Sequence, residues 1–151
     1  MKRVSYQDLE DVIAEALERA GLRTDRARTS ARIHAESSRD GVRSHGLNRV
    51  PRFIEYLDKG WVDPEAEPVV VRRIGPIEVL DGQRGPGILN ALHATDRAME
   101  LAAEHGVGLV AMRNTMHWMR GGSFGWRAVE RGKILIAWTN GLPPKEWFSL
   151  K

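Results

Sequence analysis

Apolar residues recur at helical spacing through the first part of the chain. Leu9, Val12, Ile13, Ala16, Leu17 and Ala20 share one face. Ser5 and Asp8 precede them with the spacing of a capping box, and Gly21 closes the run. Ala27, Ala31, His34, Ala35 and Ser38 form a softer stripe, with Thr24 as its expected N-cap and Gly41 near its end. Val50, Phe53, Ile54 and Leu57 then recur at i, i+3, i+4 and i+7. That spacing predicts a third helix from about Asn48 to Lys59, with Pro51 in the first turn, where an amide hydrogen is dispensable. Residues 1–62 therefore read as a three-helix lobe.

The texture changes over residues 61–68, where Pro64 and Pro68 interrupt any period and mark a linker. Two short apolar runs, Val69–Ile74 and Ile77–Leu80, flank Gly75-Pro76 and predict a hairpin. A glycine-rich loop over 81–87 leads to a helix from Ile88 to about His105, and Val107–Met112 reads as a buried strand. A second glycine-rich turn introduces a helix ending near Glu130, and Ile134–Thr139 reads as a further strand. Residues 141–151, with Trp147, Phe148 and Leu150, show no period. The expected fold class is mixed α/β (α+β): the helical lobe followed by an incomplete mixed-sheet lobe over 63–151.

Composition adds little to this picture. Apolar residues make up 42% and charged residues 28% of the 151, as in ordinary soluble domains. The absence of cysteine excludes disulfide scaffolds, thiolate metal sites and cysteine nucleophiles. No apolar run reaches membrane-spanning length, and no apolar stretch follows Met1-Lys2-Arg3, so the expected setting is cytoplasmic with no membrane partner. The net charge of +3 comes from arginines interleaved with acids, a pattern that favours small anions over nucleic acid.

Polar chemistry concentrates in two stretches. Ser44-His45-Gly46-Leu47-Asn48-Arg49 puts a hydroxyl, an imidazole and a guanidinium at the mouth of the third helix. Asn114 and His117-Trp118-Met119-Arg120-Gly121-Gly122-Ser123-Phe124-Gly125-Trp126 lie between a strand and a helix, the crevice where α/β folds bind ligands. An imidazole can exchange a proton near neutral pH and a guanidinium can grip a carboxylate in a fork. The pair suits reduction of a 2-oxo acid. His34, His93 and His105 read as structural. No histidine pair has metal-ligand spacing, so no metal is expected, and the second stretch is not a G-x-G-x-x-G dinucleotide fingerprint. The competing readings are a helix N-terminus capped by Ser44 or Asn48 with Arg49 facing solvent, and a glycine-rich turn with Trp118 and Trp126 packed as core.

Together the two motifs resemble those of the malate/L-lactate dehydrogenase-like NAD(P)H oxidoreductases, a family without the Rossmann fold. The resemblance covers residues 1 to about 140. It implies that His45, supported by Ser44, is the proton donor and that Arg49 binds the substrate carboxylate. It further implies that His117 touches substrate and cofactor, and that Trp118, Met119, Arg120 and Gly121 touch the cofactor. NADH is the implied cofactor, with NADPH as the alternative. The implied partners are a 2-oxo acid of the diketo sugar-acid class and a second copy in a homodimer. Family members are far longer, so the expectation is an N-terminal half with an incomplete cofactor site and little turnover. The alternatives are a non-catalytic binding or oligomerisation module derived from such an enzyme and, more remotely, a DNA-binding helical lobe.

Overall fold

The computed structural model describes residues 3–139. The first helix, α1 (Tyr6–Arg19), starts where Ser5 Oγ accepts the Asp8 amide at 3.0 Å. Its apolar stripe buries Ile13, Ala14 and Leu17 against α2 (Thr24–Arg39). On α2 the facing residues are Ala27, Ala31 and Ala35, whose small side chains let the two helices approach closely. Val50, Phe53 and Leu57 of α3 (Val50–Asp58), together with Val62, complete this cluster.

Two boundaries differ from expectation. Thr24 is the first helical residue of α2, and Arg23 occupies the cap without a side-chain hydrogen bond. The third helix starts at Val50, because Leu47–Arg49 tighten into a 3-10 turn after a similar turn at Arg43–His45.

The strands β1 (Val69–Ile74) and β2 (Ile77–Asp81) form the expected antiparallel hairpin, with Ile74 opposite Ile77 and an irregularity between Val70 and Arg72. Gly75 takes the turn with φ +53°, where a side chain would be strained. From β2 the chain crosses through α4 (Gly87–His105) to β3 (Leu109–Arg113), which pairs parallel to β2. Glu78 of β2 is 2% exposed. Arg97 of α4 meets it with two hydrogen bonds of 2.8 and 2.7 Å, so the fork pins helix to sheet and holds the Glu78 carboxyl below its usual range. A second cluster joins Ile33 of α2 with Ile88 and Leu92 of α4, Met119, and Phe124 of α5 (Gly121–Val129).

Among the described residues, one parallel crossover built onto an antiparallel hairpin makes a mixed α/β fold and not a doubly wound Rossmann sheet. β3 alternates between exposed and half-buried positions instead of being buried. Ile134–Thr139 is not a strand: no neighbouring strand among the described residues offers it backbone partners, and Ile134 is 94% exposed. The aperiodic tail over 141–151 lies outside the described residues. No helix among those residues is long and apolar enough to cross a membrane.

Candidate active site

The loop from Ser44 to Arg49 is seated on the C-terminal half of α2. Ser38 Oγ accepts the Leu47 amide at 2.8 Å and donates to the His34 carbonyl at 2.9 Å. A Cβ at Gly46 would overlap Ser38 Oγ and lie 2.9 Å from the Ser38 backbone nitrogen, so only glycine allows this seat. His34 Nδ1 donates to the Gly46 carbonyl at 3.3 Å. Neither Ser44 nor Asn48 caps the following helix. Ser44 Oγ instead pairs with His45 Nδ1 at 2.7 Å, and Arg49 Nε donates to the Ser44 carbonyl at 2.9 Å.

The segment carrying His117 is fixed at several points. Asn90, fully buried at the start of α4, donates to Thr115 Oγ1 at 2.8 Å and to the Gly82 carbonyl at 3.0 Å. Asp81 accepts from Asn114 Nδ2 at 3.0 Å. Gly87 opens α4 directly against the Met116 and His117 carbonyls, where a Cβ would collide with both. The Met119 amide donates to His117 Nδ1 at 2.8 Å. An amide aimed at Nδ1 keeps that nitrogen unprotonated, so the neutral ring carries its proton on Nε2. Met119 adopts φ +67°, a conformation a long side chain takes only under constraint from its surroundings.

These two segments bring the rings of His45 and His117 to 5.5 Å, tilted by 43°. Burial lowers the pKa of His45, and the positive charge of Arg49 lowers it further. His117 is lowered by burial first, then by Arg49 and by His45 itself. Near neutral pH both rings are therefore neutral, and the standing charge of the site is the guanidinium. When Ser44 Oγ–H donates to Nδ1 of neutral His45, that ring too presents Nε2–H. One cation beside two N–H donors is an arrangement that receives a carboxylate with an adjacent carbonyl.

The other expected cofactor contacts are engaged elsewhere. Trp118 stacks on Phe124 at 5.3 Å with nearly parallel rings. The Met119 side chain is buried in the second cluster. Arg120 NH1 donates to Asp40 Oδ2 at 2.7 Å, tying the end of α2 to the start of α5. Gly121 is the first residue of α5, and Trp126, read as a core candidate, is 61% exposed. His93 is exposed on α4, and His105 Nε2 lies 3.3 Å from Glu104 near the helix end. His34, Ser38 and Asp40, which lie outside both polar stretches, support the site. The available signal was the i, i+4 pair of His34 and Ser38 within a stripe otherwise made of alanine.

A family model described as malate/L-lactate dehydrogenase matches residues 4–146. The chain belongs to the malate/L-lactate dehydrogenase family. Within that family it is 47% identical over 140 residues to 2,3-diketo-L-gulonate reductase of Klebsiella pneumoniae (strain 342), covering 93% of this chain and 42% of that protein. The enzyme of the same description from Salmonella heidelberg (strain SL476) matches with the same identity and coverage. This chain thus spans well under half the length of the curated relatives it matches. Among solved structures, malate dehydrogenase from Pyrococcus horikoshii OT3 superposes with a TM-score of 0.84 at 27% identity, covering 87% of this chain and 38% of that one. Sulfolactate dehydrogenase from Methanocaldococcus jannaschii gives 0.81 at 26%, covering 85% and 37%. The relatives support reduction of 2-oxo acids as the family's kind of chemistry.

Proposed function

We propose that this chain carries the oxo-acid-binding and proton-donating part of an NAD(P)H-dependent reductase, with 2,3-diketo-L-gulonate as the leading substrate on the strength of the named relatives. The observation that carries the reading is the convergence of His45, Arg49 and His117. Reduction of a 2-oxo acid adds a hydride to the carbonyl carbon and a proton to its oxygen. The residues of this chain serve the second half. Arg49 offers its fork to the carboxylate. His45 takes up a proton as the anionic substrate arrives, its Nδ1–H then donating to Ser44 Oγ, and it gives the Nε2 proton to the carbonyl oxygen, which leaves the ring neutral. The Nε2–H of His117 lies across from them and orients the substrate.

The fit to a dinucleotide is incomplete among the described residues. Of the five residues expected to touch it, His117 keeps an open ring nitrogen, Gly121 has only backbone to offer, and Trp118, Met119 and Arg120 are held by Phe124, the apolar cluster and Asp40. NADH, with NADPH as the alternative, is accordingly proposed at the level of the family, and no step is assigned to it here. The helical residues 1–62 and the α/β residues 63–151 are proposed as the two lobes that meet at the site.

The test is calorimetric titration of oxamate, a stable 2-oxo acid analogue, into the 151-residue chain. Saturable binding that is lost in Arg49→Ala supports the reading. Binding of equal strength in Arg49→Ala overturns it. A second reading, an interaction module, draws on the apolar edge strand β1, where Val70 is 59% and Ile74 is 55% exposed. Such an edge is open to pairing with another copy of the chain. Both readings admit a second copy of the chain, so the oxamate titration distinguishes them: a module of that kind self-associates without binding oxamate.

A further inference from the structure

The last turns of α2 carry polar groups that bond outside their own helix. His34 is fully buried, and its Nδ1–H reaches the Gly46 carbonyl. Ser38 holds the next amide, that of Leu47. Asp40, at the C-cap of α2, accepts Arg120 from the other polar segment. The end of α2 thus touches both polar segments and holds the one that carries His45. The Gly46 carbonyl and the Leu47 amide belong to one peptide unit, so His34 and Ser38 together fix its plane, and that unit begins at Gly46, the residue next to His45.

We infer that His34, together with Ser38, is a positioning residue that sets the placement of the His45 ring against His117. The inference rests on the reading of those two rings as the oxo-acid site. The surroundings suit the role. His34 Nε2 has no hydrogen-bond partner among the described residues, which is tolerable for a neutral ring whose only proton is on Nδ1. Burial pushes the imidazole down to about 4, so across the working range of most enzymes it stays a fixed neutral donor.

The experiment uses the 151-residue chain and two spectroscopic readouts: the nuclear Overhauser contact between the His45 and His117 rings, and the 15N shifts of the His45 ring nitrogens. The His93 ring, exposed on α4, is the internal reference. Ser38→Ala and His34→Leu are expected to lose the ring contact and change the His45 nitrogen shifts while His93 is unmoved. His34→Asn, whose amide nitrogen can replace Nδ1 as donor to Gly46, is expected to restore both signals. Ser38→Ala, at a half-buried position, decides the matter if His34→Leu does not fold. A ring contact that survives unchanged in folded Ser38→Ala overturns the positioning role alone. Absence of the contact in the unsubstituted chain overturns the site reading, and the inference with it.

Discussion

Arg49 Nε donates to the Ser44 carbonyl at 2.9 Å, which folds the guanidinium back over the turn that carries His45. A helix-start arginine that could have pointed into solvent is instead the charge that both imidazoles sense. Arg49→Ala should therefore raise the titration midpoints of His45 and His117 together, because a nearby cation disfavours the imidazolium. Arg49→Lys should leave both midpoints near the wild-type values, since the charge remains. It should still weaken oxamate binding by about 10-fold or more, the worth of a charge-assisted hydrogen bond that a point-charge ammonium does not reproduce. Ring-proton titration followed by NMR checks the first expectation, and calorimetry the second. Unmoved midpoints in Arg49→Ala would separate Arg49 from the imidazoles.

His34 makes a pH-dependent contribution to stability. In the unfolded chain its imidazole takes up a proton near 6.5, and in the fold only near 4. Above pH 6.5 both states are neutral at this residue and it contributes no pH dependence. As pH falls through that window the unfolded state alone gains protonation, so stability is lost, by on the order of 3 kcal/mol in all. Urea unfolding at a series of pH values between 7 and 4 should show the decline, and His34→Asn should flatten it by most of that amount. An unchanged slope in the variant would mean that His34 is not buried as a neutral ring.

Gly87 and Gly125 differ in a way that stability measurements resolve. A methyl at Gly87 meets two backbone carbonyls that cannot retreat without moving the His117 segment, whereas one at Gly125 meets nothing within 4 Å. Gly87→Ala should cost about 1–3 kcal/mol and shift the His117 ring signals. Gly125→Ala, inside α5, should be neutral or stabilising by up to about 1 kcal/mol, because alanine favours the helix. Equal effects of the two substitutions on denaturant midpoints would contradict the close approach at Gly87.

The parts of this molecule readable from its sequence are those governed by short-range spacing. Leu9, Ile13 and Leu17 mark α1, Val50, Phe53 and Leu57 mark α3, and the two apolar runs around Gly75-Pro76 mark the hairpin. The meeting of His45, Arg49 and His117 was legible through motif resemblance, since no local pattern relates a helix mouth to a distant strand-to-helix turn. What escaped is set by tertiary partners. Nothing near Arg120 announces that Asp40 will hold it, and the buried place of Met119 depends on Ile33, Ile88 and Phe124 from three helices. His34, lying in an alanine stripe, reads as a packed core residue whether or not a loop is seated on it. The run Ile134–Thr139 has strand composition, but composition does not supply the neighbouring strand it needs.

The central claim is that His45, Arg49 and His117 form one site for a 2-oxo acid. The most direct measurement is a histidine-ring 1H–13C spectrum of the 151-residue chain during an oxamate titration. The account predicts that the His45 and His117 signals move together along one binding curve, that His93 and His105 stay fixed, and that Arg49→Ala abolishes the movement. Oxamate shifts confined to other residues, or His45 and His117 responding along different curves, would contradict it.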